Sequence, residues 1–289
     1  MRLAIITINY NDSENTINLL ESLRNQTDKD FEIYVVDNDS KDVDQLMDYK
    51  TTETNIVYIK NDRNLGFSGG NNVGIRKAFQ NGANWVLLLN NDTMPESHLV
   101  EHLRVDLEGR EGIVGLPLNE GNGTAFGGQI QWLKPTLRHS YNQTKMDETQ
   151  AYVIGGAMLI HEDVFNRIGL LDEKYFLYFE DADFCQRARK AKIPISFISD
   201  IKTSHAVSSS TKKLGSPLLM RYHYRNALYF NLKNGPLYVK LLVWPWSWLV
   251  MLKQIIKIVI GKNREQSVAI LKGVGDWYTG KMGKIKNGI

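Results

Sequence analysis

Asn90 and Asp92 stand two apart at the end of the apolar run LLLNND, residues 87–92. A carboxylate beside amide oxygens is a hard donor set. It suits magnesium or manganese, which take few protein ligands and complete their shell with substrate phosphates. A leaving diphosphate needs such a cation to offset the charge that builds as the bond breaks. A second set lies in YFLYFEDADFCQR, residues 175–187, where aromatic residues lead into Glu180, Asp181 and Asp183. Crowded carboxylates among aromatics raise a carboxyl pKa and can produce a general base. The plainer reading is a helix N-terminus whose acids complement the macrodipole, with Asp183 partnering Arg187 one turn on. Cys185, the single cysteine, reads as core on the same helix and excludes an internal disulfide or a zinc cluster. A third set is NDRNLGFSGGNNVG, residues 61–74. Gly66, Gly69, Gly70 and Gly74 permit close backbone approach; Asn64, Asn71 and Asn72 supply neutral donors and acceptors. The spacing matches neither GxxxxGK[ST] nor GxGxxG and fits a neutral, hydroxyl-rich ligand. Taken alone, these glycines serve packing at a helix start.

Such sets need a scaffold that gathers them. LAIITI, FEIYVVD, NIVYIK and NWVLLL are apolar runs of strand length, each followed by polar or glycine-rich residues. Ile17, Leu20 and Leu23 recur at helical spacing behind a polar start. DVDQLMDY, a stretch from the glycine-rich loop to Gly82, and PESHLVEHLRVDL with Pro95 near its first turn predict further helices. Strands alternating with helices predict an α/β, Rossmann-like, mainly parallel sheet flanked by helices. Its carboxyl edge gathers TINYND, VVDNDS, the glycine-rich loop and LNND, where open α/β sheets bind ligands. From about 111 to 160, GIVGLPL, TAFGGQIQWL and AYVIGGAMLIH predict short strands that make the sheet mixed. EDVFNRIG and DADFCQRARKAK then predict helices, and PISFISD a late strand.

The 289 residues are 43% hydrophobic and 23% charged, an ordinary balance for a soluble globular chain. A net charge of +3 hides a split: residues 221–289 hold twelve Lys/Arg against two acids, and residues 1–220 twenty-three against thirty. The basic part contains PLYVKLLVWPWSWLVMLKQIIKIVIGK, apolar but interrupted by Lys240, Lys253 and Lys257. Its longest uncharged run, Leu241 to Leu252, has twelve residues and includes Pro245, short of the ~20 that a spanning helix needs. Trp244, Trp246 and Trp248 with flanking lysines suit a segment lying among headgroups. The alternative is a buried helix, packed on the rest of the chain or within a homodimer. MRLAIITINYND shows no charged leader before an apolar run. The expected address is cytoplasmic, peripheral to the inner face of the plasma membrane, with no nucleic-acid partner.

In chain order, NYN, VVDNDSKD, NLGFSGGNNVG, LLLNNDT, GGAMLIHEDVF, GLLDEKYFLYFEDADFCQRARK and RYHYRN resemble the inverting nucleotide-sugar glycosyltransferases of family two, of the GT-A fold. Within that family the chain is most similar to rhamnosyltransferase-like bacterial enzymes of cell-surface polysaccharide synthesis, over about residues 2–235. The resemblance implies a metal-dependent inverting transfer, with Mg2+ or Mn2+, from dTDP-L-rhamnose or a UDP-hexose to a hydroxyl of a glycan or lipid-linked glycan. It implies that Asp37 contacts the nucleotide base or ribose, that Thr7 and Asn9 line the same pocket, and that Asn64, Gly66, Gly69 and Asn71 border the donor. NND stands where the family has D-x-D, which makes Asp92 the metal ligand, with Asn90 in place of the first aspartate and Asn91 between them. Asp181 matches the catalytic base, with Glu180 beside it. His205, in IKTSHAVSSS, stands where related enzymes have a histidine ligand. The implied organisation is a GT-A domain at 1–220, its donor part about 1–110 and its acceptor part about 111–220. A basic, aromatic-rich helical region follows at 221–289. A sugar-nucleotide pyrophosphorylase would share the sheet and a metal, but TINYNDSENT lacks the glycine-rich, Arg-containing loop of such enzymes. A non-catalytic carbohydrate-binding scaffold would have little reason to keep both Asp92 and the Glu-Asp pair.

Overall fold

The computed structural model describes residues 1–49, 55–120, 123–201, 203–205 and 216–285. The chain opens as β1 (Leu3–Asn9), α1 (Ser13–Arg24), β2 (Phe31–Asp37), α2 (Val43–Asp48), β3 (Ile56–Lys60), α3 (Gly66–Gln80) and β4 (Trp85–Leu89). β5 (Thr93–Pro95), α4 (Leu99–Asp106), β6 (Ile113–Gly115), β7 (Leu118–Asn119), β8 (Thr124–Ala125), β9 (Gly127–Gln129) and β10 (Arg138–Ser140) follow. Next come β11 (Ala151–Tyr152), β12 (Ala157–His161), α5 (Glu162–Ile168), α6 (Glu180–Lys190), β13 (Ile195–Phe197) and β14 (Thr203–His205). The central sheet runs β13-β6-β12-β4-β1-β2-β3. β1 is parallel to β2 and β4, whereas β12 lies antiparallel between β4 and β6. The sheet is therefore mixed, with an antiparallel strand set among parallel ones.

Helices cover both faces of the sheet, so the central strands read as nearly unbroken apolar runs rather than alternating ones. Ala4, Ile6, Val86 and Leu88 join the core that includes Ile75 and Ala78 of α3; Leu3, Ile5, Leu87 and Leu89 join the core that includes Leu19, Leu20 and Leu103 of α1 and α4. The glycine-rich stretch is helix rather than loop. A Cβ on Gly74 would sit 2.5 Å from Ile6 Cγ2, and one on Gly70 2.9 Å from Ile8 Cδ1. These two glycines let α3 lie tight on β1. Pro95 does not open α4: it ends β5, and the helix starts at Leu99.

Three helices close the chain: α7 (Ser216–Asn234), α8 (Leu237–Val259) and α9 (Arg264–Tyr278). α8 is continuous for 23 residues through Pro245. By length and composition it could cross a membrane, although its longest uncharged run is the twelve residues Leu241 to Leu252. Pro245 removes one backbone hydrogen bond, and buried Val239, Val243, Ser247 and Val250 hold both halves in one helix. α9 is pinned to α7 by Arg221 and Asp276, 2.7 Å apart. A boundary at 220 falls inside α7, whose Lys233 and Asn234 bond to Asp183 of α6.

Candidate active site

At the carboxyl edge of the sheet, where β1 separates strands added on either side, open α/β sheets leave a crevice. Here it is a cavity of about 290 Å³. Ile8, Tyr10 and Asn38 reach it from the ends of β1 and β2; Asn64, Gly66, Phe67 and Asn71 border it from α3 and the residues just before. Asn90, Asn91 and Asp92 enter after β4, Gly155 and Gly156 before β12, and Glu180 and Asp181 at the start of α6. The separate polar sets of the sequence thus border one cavity.

Asp181 is fixed by backbone. Its Oδ2 accepts the Gly155 N–H at 3.1 Å and its Oδ1 the Ala182 N–H at 2.7 Å. Burial pushes the carboxyl up; the two N–H groups and the His139 imidazole pull it down, and burial wins. Glu180, only 6% exposed, is pushed well above the ordinary carboxylate range by burial and by the Asp181 charge. Two adjacent buried carboxyls do not readily ionise together. The N–H bonds make Asp181 the one that gives up its proton first, with Glu180 neutral beside it. An anionic Asp181 of raised proton affinity can take a proton from a hydroxyl in the cavity.

The cavity lining also includes Glu120 and His139, which no local pattern marked. His139 Nδ1 lies 2.8 Å from Glu120 Oε1, and Tyr141 donates its hydroxyl to the other Glu120 oxygen at 2.8 Å. Burial disfavours the His139 cation, but the Glu120 bond and the Asp181 charge carry its pKa above the ordinary value. These residues meet only because β10 and the end of β7 converge on the cavity. Gly155 and Gly156 were legible as a glycine turn between strands, though not as a partner of Asp181.

Thr7, Asn9, Asp37 and Gly69 stand behind the lining rather than in it. Asn9 Nδ2 donates to Asp37 Oδ1 at 2.9 Å and to Ser40 Oγ at 3.1 Å, and its Oδ1 accepts from Thr16 at 2.9 Å. Asp37 is 1% exposed, and its second oxygen takes the Ser40 N–H at 3.1 Å. This network ties β1, β2 and α1 together. Neighbouring side chains on a strand point to opposite faces, so Ile8, Tyr10 and Asn38 reach the cavity instead. Asn38 is held by Asn61 at 2.9 Å and donates to the Gly66 carbonyl at 3.0 Å. Gly69 faces Leu65, whose Cβ a methyl would approach to 2.7 Å.

Asp92, 5% exposed, borders the cavity with the amides of Asn90 and Asn91. Among the described residues, no three His, Cys, Asp or Glu converge as a metal cage, and no Lys or Arg lines the cavity. One carboxylate with amide oxygens fits a magnesium or manganese ion that keeps phosphate oxygens as its other ligands. The β14 backbone pairs His205 with Thr93, next to Asp92 in sequence. The His205 side chain and the rest of HAVSSS lie outside the described residues.

Fold and cavity together define a glycosyltransferase of GT-A architecture. Residues 4–169 match the family model described as Glycosyl transferase family 2, and the chain belongs to that family. The low-salt glycan biosynthesis hexosyltransferase Agl10 of Haloferax volcanii is 30% identical over 78% of this chain and 73% of its own length. The dTDP-rhamnosyl transferase RfbF of Shigella flexneri is 23% identical over 79% of each. Two solved structures share the fold. The mannosyltransferase PcManGT of Pyrobaculum calidifontis, in complex with GDP-Man and Mn2+, superposes with a TM-score of 0.62 at 13% identity over 97% of this chain and 88% of that one. S. aureus TarS 1-349, in complex with UDP-GlcNAc, gives 0.59 at 16% over 96% and 80%.

Proposed function

We propose that the enzyme is an inverting, metal-dependent hexosyl- or rhamnosyltransferase that moves the sugar of a dTDP- or UDP-sugar to a hydroxyl of a glycan or lipid-linked glycan. The observation that carries this reading is Asp181 in the cavity lining, fixed by the N–H groups of Gly155 and Ala182, with Asp92 bordering the same cavity. Asp181 takes the acceptor proton as that oxygen attacks the anomeric carbon opposite the diphosphate; inversion needs one base and no covalent intermediate. Asp92, with the amides of Asn90 and Asn91, would hold a divalent cation, which would supply positive charge toward the diphosphate. Asn38, Asn64 and Asn71 offer the nucleotide and sugar neutral hydrogen-bonding groups. The donor preference follows the relatives, one named a hexosyltransferase and one a dTDP-rhamnosyl transferase.

The membrane part of the reading rests on α8. Its inner face packs on α7 and α9, with Ser247 bonded to Tyr278 at 2.7 Å and Ser267 to Gln254 at 3.1 Å. Its outer face exposes Leu241, Trp244, Trp248, Leu252, Ile255 and Val259. A helix with one face on its own domain and the other apolar, flanked by lysines, lies in the interface plane rather than spanning it. We place it on an anionic inner leaflet, close to a lipid-linked acceptor.

Incubating the enzyme with labelled dTDP-rhamnose or UDP-hexoses, manganese and a glycan acceptor tests the reaction. The expected products are free nucleoside diphosphate and an inverted glycoside in equal amounts. Pyrophosphate release, or a retained anomeric configuration, would overturn the reading.

A further inference from the structure

Asp181 is delivered by an unusual piece of backbone. Phe176, Tyr178 and Phe179 all have left-handed φ values, 65°, 71° and 75°, and none is glycine. Residues with a side chain disfavour that region, and such turns persist only where their surroundings over-determine them. The surroundings here are α7. Each ring of the loop has a partner on that helix: Tyr175 on Tyr229, Phe176 on Tyr222, Tyr178 on His223 and Phe179 on Phe230, with centroids 4.1 to 5.5 Å apart.

The backbone is held more tightly than the rings. Asn226, fully buried, donates its amide to the carbonyls of Tyr175 at 3.0 Å, Leu177 at 2.7 Å and Tyr178 at 3.1 Å. Those are the carbonyls that the left-handed turns direct inward. Arg225, 1% exposed, orients that amide: its Nε–H donates to Asn226 Oδ1 at 3.0 Å, and its Nη2 to the Tyr175 carbonyl at 3.3 Å. From the other side, Phe67 at the start of α3 donates its N–H to the Phe176 carbonyl at 2.7 Å. The loop is thus clamped between α3 and α7. Its last residue, Phe179, opens the helix that carries Glu180 and Asp181.

We infer that Asn226, oriented by Arg225, is a positioning residue for the transfer: it holds Tyr175–Phe179 in their left-handed turns so that Asp181 meets the Gly155 N–H at the cavity wall. This rests on the proposed role of Asp181 as the base. A consequence is that α7 belongs to the catalytic machinery, although it lies in the basic C-terminal part of the sequence. The RYHYRN stretch then has a stated job: its Tyr222 and His223 stack on Phe176 and Tyr178, and its Arg225–Asn226 pair ties the loop backbone.

The test uses the full chain with Asn226→Asp, which keeps the shape and removes the donating amide, and Arg225→Lys, which keeps the charge and removes the orienting Nε–H. Amide exchange at Phe67 and Gly155 should quicken at least tenfold in Asn226→Asp and less in Arg225→Lys, while the β4 amides are unchanged. kcat should fall tenfold or more in Asn226→Asp, a larger change than that in donor KM, because Asn90 and Asp92 are anchored by β4 while Phe176, Leu177 and Tyr178 of the loop line the cavity. The acid limb of kcat against pH should also move, because Asp181 changes surroundings. A merely structural Asn226 would lower the unfolding temperature and the yield of active enzyme, yet leave that limb and the selective exchange where they are. Unchanged exchange at Phe67 and Gly155 in both variants overturns the inference. Should Asn226→Asp be too unstable to assay, Arg225→Lys decides by the same two readings. Asp181→Asn serves as the separate control: full activity there removes the base assignment, while the exchange readings, which need no turnover, still report whether Asn226 sets the loop.

Discussion

Gly155 donates its backbone N–H to the Asp181 carboxylate at 3.1 Å, and its neighbour Gly156 accepts the N–H of Asn90 at 3.0 Å. One two-glycine turn therefore spaces the proposed base from the proposed cation side. A Cβ on Gly156 would lie 3.0 Å from Asn90 Nδ2, so the turn and the Asn-Asn-Asp segment are packed as a unit. The separation of the reacting groups is set by backbone on a sheet edge rather than by flexible side chains.

Asp181→Asn should lower kcat by ~10² to 10⁴-fold, the usual loss when a general base is removed, with donor affinity nearly intact. The asparagine carbonyl can still accept the Gly155 N–H, so the wall keeps its shape. Single-turnover rates and donor titration separate the two quantities. Residual activity above a few per cent would move the base elsewhere, with Glu180 the next residue to test.

Glu180 should reveal itself in stability rather than in chemistry. Burial and the Asp181 charge raise its pKa in the folded state, so folding favours its neutral form. That contribution is complete below the unfolded carboxylate pKa and is lost as pH rises through the folded value. Glu180→Gln should therefore raise the unfolding temperature relative to the parent at pH 8 and much less at pH 4. Equal shifts at both pH values would mean that Glu180 is not held neutral. In activity, the raised Asp181 carboxyl predicts a kcat that climbs with pH at values above the ordinary carboxylate range.

Gly66 is the glycine that the cavity cannot lose. Its φ is +73°, and a Cβ would sit 2.3 Å from the Phe176 carbonyl oxygen. Gly66→Ala should cost ~2 to 4 kcal/mol, combining a left-handed alanine with displacement of backbone. Gly109 has a similar φ, +69°, with nothing within 4 Å of its Cβ. Gly109→Ala should cost only about 1 kcal/mol. Urea unfolding of both variants checks the contrast; equal costs would remove the steric argument.

The central strands were legible because burial on both faces leaves long apolar runs with polar ends. β1, β2, β3 and β4 lie where LAIITI, FEIYVVD, NIVYIK and NWVLLL predict them. Asp183 pairs with Arg187 at 2.8 Å as the spacing predicts, and Cys185 is buried core that accepts the Val153 N–H at 3.3 Å. Long-range pairings were not legible. Nothing local tells that the YFLYF rings dock on α7, or that His139 and Glu120 face the acids of α6. The parity of a strand end was lost as well: Asp37 and Asn38 are adjacent in sequence, yet only Asn38 borders the cavity. α8 runs on through Pro245 and past the lysines that bound its uncharged run, because a helix needs only consistent packing along one face.

Asp92→Ala should weaken donor binding by an amount that depends on manganese, because the diphosphate reaches this side chain through the cation. The matched measurement is donor affinity for parent and variant with manganese and with chelator. The two proteins should differ with metal and converge without it. Equal affinities in manganese would remove Asp92 from the cation site. His205→Ala, judged in the same assay, should give a smaller version of the defect if the histidine is a ligand.

The outer face of α8 makes the last prediction. Trp248 is 67% exposed and Val259 79%, a degree of apolar exposure along a whole helix that water does not favour. Lys240, Lys253 and Lys257 on the same helix should each gain roughly 1 kcal/mol near an anionic surface, and that gain shrinks as salt shortens the screening length. Full-length enzyme should bind vesicles containing anionic lipid, bind neutral vesicles weakly, and lose the difference at high salt. Substitution suits this test better than truncation, since removing α9 would break its ion pair with Arg221 on α7. Trp248→Glu together with Leu241→Glu should abolish vesicle binding and leave transfer to a soluble acceptor within about twofold. If the parent ignores anionic vesicles and the double variant instead turns a dimer into a monomer in sedimentation, the face is a subunit interface. Lipid then plays no part in covering it.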